Sequence, residues 1–452
     1  MRALYDSKSK TMNDRGIKQL LSQEEKYKTW LKVEVALAKA QAEFKFIPQD
    51  AANEIKEKAK IENIDFEEME RIYREIGHGF VPFLKVLVKA CSEESGKYIH
   101  YGVTTQNIQQ SSQLCIMKSI HEKYLILLAD ILDNLGDLAL EHKETVMTGR
   151  THGRHATPIT YGYKVSVWIS EFIACVERMQ EVEKRVFTIM MGGAVGTFST
   201  MPEVGPKVQN RVAELLGMYS MDVPSRNMNA HKIEYIMNLS LVANACHKIA
   251  EEVYATTLEE IGEVSEGFKK GTVGSSTMPH KINPKLAKGI IANSQKLYSL
   301  IGPGLYSAIR PYEGDSSSYM LFDGLIEESL QLTTEILLRC EELTRTLSVH
   351  KEKMLENALT NKGLDNSEYI MMKISDKVGK DKAHSLVYDI AMKTAIEGSD
   401  FYENLMANSL IATEFSKNEI RQMINPSSYT GLSSEIAEKI SSEAKILAKK
   451  LK

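Results

Sequence analysis

Proline placement constrains this chain more than any other feature. Only 11 of its 452 residues are proline, and none lies between Pro82 and Pro158 or between Pro311 and Pro426. Inside a helix proline removes a backbone donor and collides with the preceding turn, so such intervals permit long helices. Apolar periodicity agrees. Through 228–262, Ile233, Ile236, Met237, Leu241, Ala245, Ile249 and Val253 recur at the spacing of one helix face. Residues 17–44 repeat it through Leu20, Leu21, Trp30, Val33, Leu37 and Ala40, as do 112–142, 159–190, 285–301 and 320–347. No sustained β-alternation bounded by turn pairs is found. The chain reads as nearly all α, with several helices longer than about 25 residues, the pattern of a bundle.

Three domains are expected: 1–95, charged and mixed; 96–348, with the long helices and most glycine-rich interruptions; and 349–452, short polar helices broken at Gly363, Gly379, Gly398 and the NPSSYTG stretch. Lys+Arg is 56 against 60 Asp+Glu, so the basic excess of a nucleic-acid binder is missing. The apolar runs are far short of a membrane span. The N-terminal MRALYDSKSK lacks the apolar core of a signal peptide. Five cysteines, at 91, 115, 175, 246 and 340, form no CxxC pair. That scattered set predicts reduced thiols in a cytoplasm rather than disulfides or a zinc site.

Five segments carry candidate chemistry. In 271–284, GTVGSSTMPHKINP, glycines and Ser275–Ser276 offer backbone N–H groups and hydroxyls to a ligand, and Lys281 with Asn283 suits a carboxylate. The bland alternative is an interhelical loop with capping serines. In 148–158, TGRTHGRHATP, the residues Thr151, His152 and His155 are expected at a glycine-broken helix entry. Histidine is the usual acid or base near neutral pH, although a lone one is more often a structural hydrogen-bonder. In 98–107, YIHYGVTTQN, Thr104 and Thr105 either bind an anionic substrate or cap the next helix. EIGHGFVPF, at 75–83, places His78 in a glycine break. MGGAVGT, at 191–197, lacks GxGxxG spacing and a preceding strand, which excludes a dinucleotide site.

Together these segments resemble the fumarase/aspartase superfamily of lyases. GSSTMPHKINP looks like its signature loop, GRTHGRHATP its second conserved region and IHYGVTTQN its first. EEKYKTWLKVEVALAKAQAEFKFIP, at 24–48, and GGAVGTF resemble the branch containing adenylosuccinate lyase and carboxymuconate cycloisomerase. The resemblance implies three mostly helical domains and a central long-helix bundle forming the core of a homotetramer with shared active sites. It also implies a small carboxylate substrate, no cofactor, and β-elimination through a doubly charged aci-carboxylate. Position by position, it makes Ser275 the proton-abstracting base and His152 the acid that protonates the departing atom. Lys281, Asn283, Thr104, Thr105 and Thr151 match carboxylate-holding groups, Ser276 completes the signature pair, and His78 and His100 match pocket histidines.

The departures from that branch bear on substrate. An Arg-Tyr pair is expected near the start, but Tyr5 follows Leu4. Glu-Arg-Asp becomes Glu313-Gly314-Asp315, and the following SSSYMLFDG lacks a further expected arginine. Gln-Arg-Asp-Arg becomes Met228-Asn229-Ala230-His231, followed by the matching Glu234-Tyr235, and an expected aspartate is Asn107. Lys8, Lys10, Arg15, Arg226, His231 and Lys232 are nearby substitutes in sequence. Three readings stand: a C–N lyase releasing fumarate from an N-succinyl compound, with adenylosuccinate the default; a cycloisomerase or a lyase of another polycarboxylate; and a non-catalytic structural relative.

Overall fold

The structure, a computed structural model, describes residues 11–268, 271 and 274–452. Leu4, Tyr5, Lys8 and Lys10 lie outside them. The elements used below are α1 (Gln23–Glu43), α2 (Val81–Ala90), α3 (Thr105–Glu141), the strands β1 (Val146–Thr151) and β2 (Arg154–Thr160), α4 (Tyr161–Glu181), α5 (Ala230–Thr256), α6 (Lys285–Tyr298), α7 (Ser316–Thr346) and α8 (Lys351–Leu359). With 37 residues, α3 is the longest of them. At about 1.5 Å per residue it extends roughly 55 Å. The molecule is mostly helical, and no helix among the described residues is long and apolar enough to cross a membrane.

The chain forms two compact units. The first takes the chain to Leu125, Cys175–Ala243 and Asn293–Leu338; the second takes Ile126–Ala174, Asn244–Ala292 and Arg339–Lys452. In the first unit, the Ser22 hydroxyl starts α1 by accepting the Glu25 N–H at 3.2 Å. Trp30 of α1 meets Phe80 and Phe83 edge-on, with centroids 4.8 and 5.2 Å away. All three rings are buried, each contributing about 1.5–3 kcal/mol of hydrophobic stabilisation. Between α3 and α7, the buried Tyr124 hydroxyl donates to the Leu330 carbonyl at 2.6 Å.

In the second unit, Gly136 of α3 lets the helix Ser433–Leu451 approach, and the Ser441 hydroxyl donates to the Gly136 carbonyl at 2.7 Å. A Cβ on Gly136 would meet the Ser441 carbonyl oxygen at 3.3 Å. Ile370, Ile374, Val387, Phe401, Leu405 and Ile420 form a separate buried cluster near the C-terminus.

One expectation is corrected. Residues 148–158 are not a helix entry but most of a β-hairpin, in which Val146 pairs with Thr160 and Thr151 with Arg154. The turn is His152-Gly153, with φ of 51° and 71°. Two consecutive left-handed residues make the type of turn that matches strand twist, so the chain reverses here instead of coiling. A register irregularity between Thr148 and Arg150 breaks the alternation that would have marked β1 as a strand. Gly149 sits there because a Cβ would come within 2.6 Å of the Thr157 carbonyl.

Candidate active site

The second unit carries two of the chemistry-bearing segments. His152 is exposed at the hairpin tip beside exposed Thr151. The hairpin is anchored from below. Arg150 sends Nη2 to Oε1 of Glu263 at 2.6 Å and Nη1 to Oε2 at 2.9 Å. Asn357 of α8 donates Nδ2 to the same carboxylate at 2.9 Å. His155 faces inward, with Nδ1 3.5 Å from Asp365 Oδ2 but without hydrogen-bond geometry. Position on the hairpin thus separates the two histidines: His152 is presented to solvent and His155 is half-buried.

Residues 274–284 form a loop. The Ser275 hydroxyl oxygen accepts the Thr277 N–H at 3.2 Å and the Met278 N–H at 3.1 Å. Asn283 Nδ2 donates to the Gly274 carbonyl at 3.2 Å, closing the loop on itself. Gly274 is required, since a Cβ there would overlap the Lys281 carbonyl. Ser276 and Lys281 are exposed. The loop leads into α6, whose first turn is capped by Glu266, which accepts Leu286 and Ala287 N–H at 2.9 and 2.7 Å. No hydrogen bond or ion pair joins His152 to Ser275 among the described residues.

The remaining candidates belong to the first unit. His78 is exposed, and its Nδ1 accepts the Phe80 and Val81 N–H groups at 3.1 Å each, capping α2. The ring of His100 packs 5.3 Å from Phe80. His100 has a left-handed backbone, φ 58°, held by Glu34 of α1. Glu34 accepts the His100 backbone N–H at 3.1 Å and its ring Nδ1 at 2.8 Å. Asn107 binds the Thr104 and Gly193 N–H groups through its Oδ1, at 3.0 and 3.1 Å. Its amide nitrogen is buried without a partner. Thr104 and Thr105 are half-buried at the start of α3.

Sequence reasoning missed Glu34 and Glu263. Glu34 had a signal: it falls among Trp30, Leu31, Leu37 and Ala38 on the buried face of α1, where a carboxylate needs a partner. Glu263 had none, because its partners Arg150 and Asn357 are remote in sequence. Gly314 is also explained. A Cβ there would meet the Arg226 Nε at 2.7 Å, and Arg226 Nη2 donates to the Gly314 carbonyl at 3.1 Å. Arg226, from another segment, lies against Gly314.

The chain is similar to known proteins over most of its length. Residues 4–296 match the model of the family described as Lyase, and residues 363–440 match that of the adenylosuccinate lyase C-terminus. The chain is 34% identical to an adenylosuccinate lyase of Methanocaldococcus jannaschii, over 94% of this chain and 92% of that one. It is 31% identical to an N-acetyl-S-(2-succino)cysteine lyase of Enterococcus italicus, over 91% of this chain and 90% of that one. The crystal structure of a fumarate lyase from a Mesorhizobium species superimposes with a TM-score of 0.88 at 26% identity, covering 95% of this chain and 97% of the other.

Proposed function

This chain belongs to the fumarase/aspartase lyase superfamily, in the branch with adenylosuccinate lyase, and on that premise we propose that it eliminates fumarate from an N-succinyl compound. The observation that carries the reading is the pair of loop amides on the Ser275 hydroxyl. Serine is a poor base because its alkoxide is unstable in water. Two N–H donors already aimed at Oγ stabilise that anion without reorganisation. Ser275 removes the proton from the carbon beside a carboxylate, leaving an aci-carboxylate with two negative charges. His152 protonates the departing nitrogen, and the C–N bond breaks to give fumarate. Lys281, Ser276, Thr151, Thr104 and Thr105 hold carboxylates; Asn283, engaged with Gly274, keeps the loop in shape. His78 and His100 line the pocket.

A second substrate reading is supported by one specific change. Gly314 stands where an arginine is expected, and the similarity to an S-succinocysteine lyase is nearly as high as that to adenylosuccinate lyase. An unphosphorylated N- or S-succinyl amino acid fits that combination. The same reading has the chain act in the cytoplasm as a homotetramer, without a cofactor. Exposed apolar side chains on the long helices, Leu241 and Tyr254 on α5 and Met320 and Leu321 on α7, support assembly. Fumarate absorbance under adenylosuccinate and a panel of N- and S-succinyl amino acids tests the reading. Release from none of them would end it. A kcat/KM for adenylosuccinate of about 10⁴ M⁻¹s⁻¹ or more would end the unphosphorylated alternative.

A further inference from the structure

Lys232 occupies a position that four physical terms oppose. Its side chain has no exposed surface. Its ammonium has no hydrogen-bond partner. It lies in the first turn of α5, where the helix dipole disfavours a cation. It is also repelled by Arg310. Burial and that repulsion bring its pKa down to about 7, while Asp323 pulls the other way. Asp323 is already engaged by Gln113 Nε2 at 2.9 Å.

The surroundings collect further donors. Arg310 lies 5.4 Å from the Tyr319 ring, and Lys232 Nζ lies 5.9 Å from the same ring and 4.8 Å from Phe322. Arg310 Nη2 donates to Gln106 Oε1 at 3.1 Å, and Gln106 passes the chain on to Gln110 Oε1 at 3.1 Å. The Gln110 amide nitrogen is buried and unsatisfied. Arg310 Nη1 donates to the carbonyl of Arg226, whose own Nε is unsatisfied. Among the described residues, none of the three cations forms an ion pair with a carboxylate. Gln106 directly follows Thr105, so the cluster abuts the candidate substrate threonines. Tyr319 and Arg226 are only half-buried and form its rim.

We propose that Lys232, Arg226, Arg310 and Gln110 form a binding site for the anionic group, carboxylate or phosphate, on the departing part of the substrate. The proposal rests on the fumarate-releasing reading and adds to it the charge of the leaving group. An anion entering the cluster gives the Lys232 ammonium and the Gln110 amide the acceptors they lack, and it offsets three like charges. A lysine retained for stability would instead be paired with a carboxylate. Arg310 contributes mainly charge, because three of its N–H groups are taken by Gln106 and the carbonyls of Arg226 and Asp315.

The test uses the full chain and Lys232→Met, which keeps the stem and removes the charge. Melting temperature is read alone, with N-acetylcysteine and with AMP, at fixed ionic strength; kcat/KM is read with the best fumarate-releasing substrate. The expected result has three parts: the variant melts higher than wild type, loses the stabilisation that one of the probes gives wild type, and has kcat/KM lower by about ten- to a hundredfold, mostly through KM. The probe that stabilises wild type tells carboxylate from phosphate. Equal stabilisation of both proteins, stabilisation of neither, or a lower-melting variant with unchanged kcat/KM would overturn the site. If the variant does not fold, Arg226→Gln is carried through the same measurements. Wild type releasing no fumarate would overturn the functional reading, whereas the melting experiment would still decide the anion site.

Discussion

Glu263, with no exposed side-chain surface, grips Arg150 through both carboxylate oxygens, two residues before His152 at the hairpin tip. The pair is structural in energy and functional in position. Removing one partner from a buried pair strands the other charge. Arg150→Ala is therefore expected to cost about 3–5 kcal/mol in urea unfolding. It should also lower turnover, because the turn holding His152 loses its anchor. Replacing both residues by leucine and methionine should recover most of the stability but not the rate. Full recovery of rate in the double variant would show that the hairpin tip needs no fixed base.

Ser275→Ala removes the proposed base and also the acceptor of two backbone N–H groups. General-base loss is expected to lower kcat by about 10²–10⁴-fold. Losing the acceptor costs about 1 kcal/mol or less, since water reaches this half-buried loop. Ser276→Ala, at an exposed neighbour without this role, should change kcat far less. Similar losses in the two variants would remove Ser275 from the role.

The long helices were legible because their signal is local. The stripe read over 228–262 became Ala230–Thr256, and that over 320–347 became Ser316–Thr346. The helix expected from 112 begins earlier, at Thr105, since its first turns bury Gln106, Asn107, Gln110, Ser111 and Ser112, and an apolar stripe cannot report polar burial. The hairpin was illegible because its signal is a pair of left-handed residues and an irregular register, not a period. Of the site, the residue types that do chemistry stood out in the sequence. Their supports did not: Glu34 lies 66 positions from His100, and Glu263 lies 113 from Arg150.

Glu34 supplies the next expectation. It receives both N–H groups of a residue held in a left-handed conformation, so it sets where His100 points. Glutamine is the same size but has a single acceptor oxygen. Glu34→Gln should lose about 1–3 kcal/mol of stability. It should also lower kcat/KM, because one amide oxygen cannot hold both His100 N–H groups and the ring loses its fixed direction. An unchanged kcat/KM beside lower stability would make the pair purely structural.

His152 is proposed to protonate the leaving atom, and leaving-group dependence separates that role from positioning. His152→Gln should slow substrates with basic leaving amines far more than those whose leaving atom departs without a proton. Its φ of 51° suits histidine better than glutamine, so the comparison between two substrates of the same variant, rather than with wild type alone, separates chemistry from backbone cost. Measuring kcat for an N-succinyl and an activated S-succinyl substrate supplies the comparison. Equal slowing of both would assign His152 to positioning. His155→Gln, half-buried on β2, should show no such dependence.

The last expectation is a pH dependence of stability at Lys232. Its folded pKa is lowered to about 7, first by burial and then by Arg310, from the ordinary lysine value of 10.5. Between those two values the unfolded chain holds the lysine proton and the folded chain releases it. Stability from this group therefore rises with pH across that window, and the full cost is present below it. His231, its neighbour, is held neutral by burial and by Lys232, with a pKa of about 3, and does not titrate in the same range. Lys232→Met has no proton to lose at this position. Its advantage in melting temperature over wild type should be largest below pH 7 and shrink steadily toward pH 10. A constant advantage across that range, measured without ligand, would mean that the ammonium is solvated in the folded protein and that the cluster is not dry.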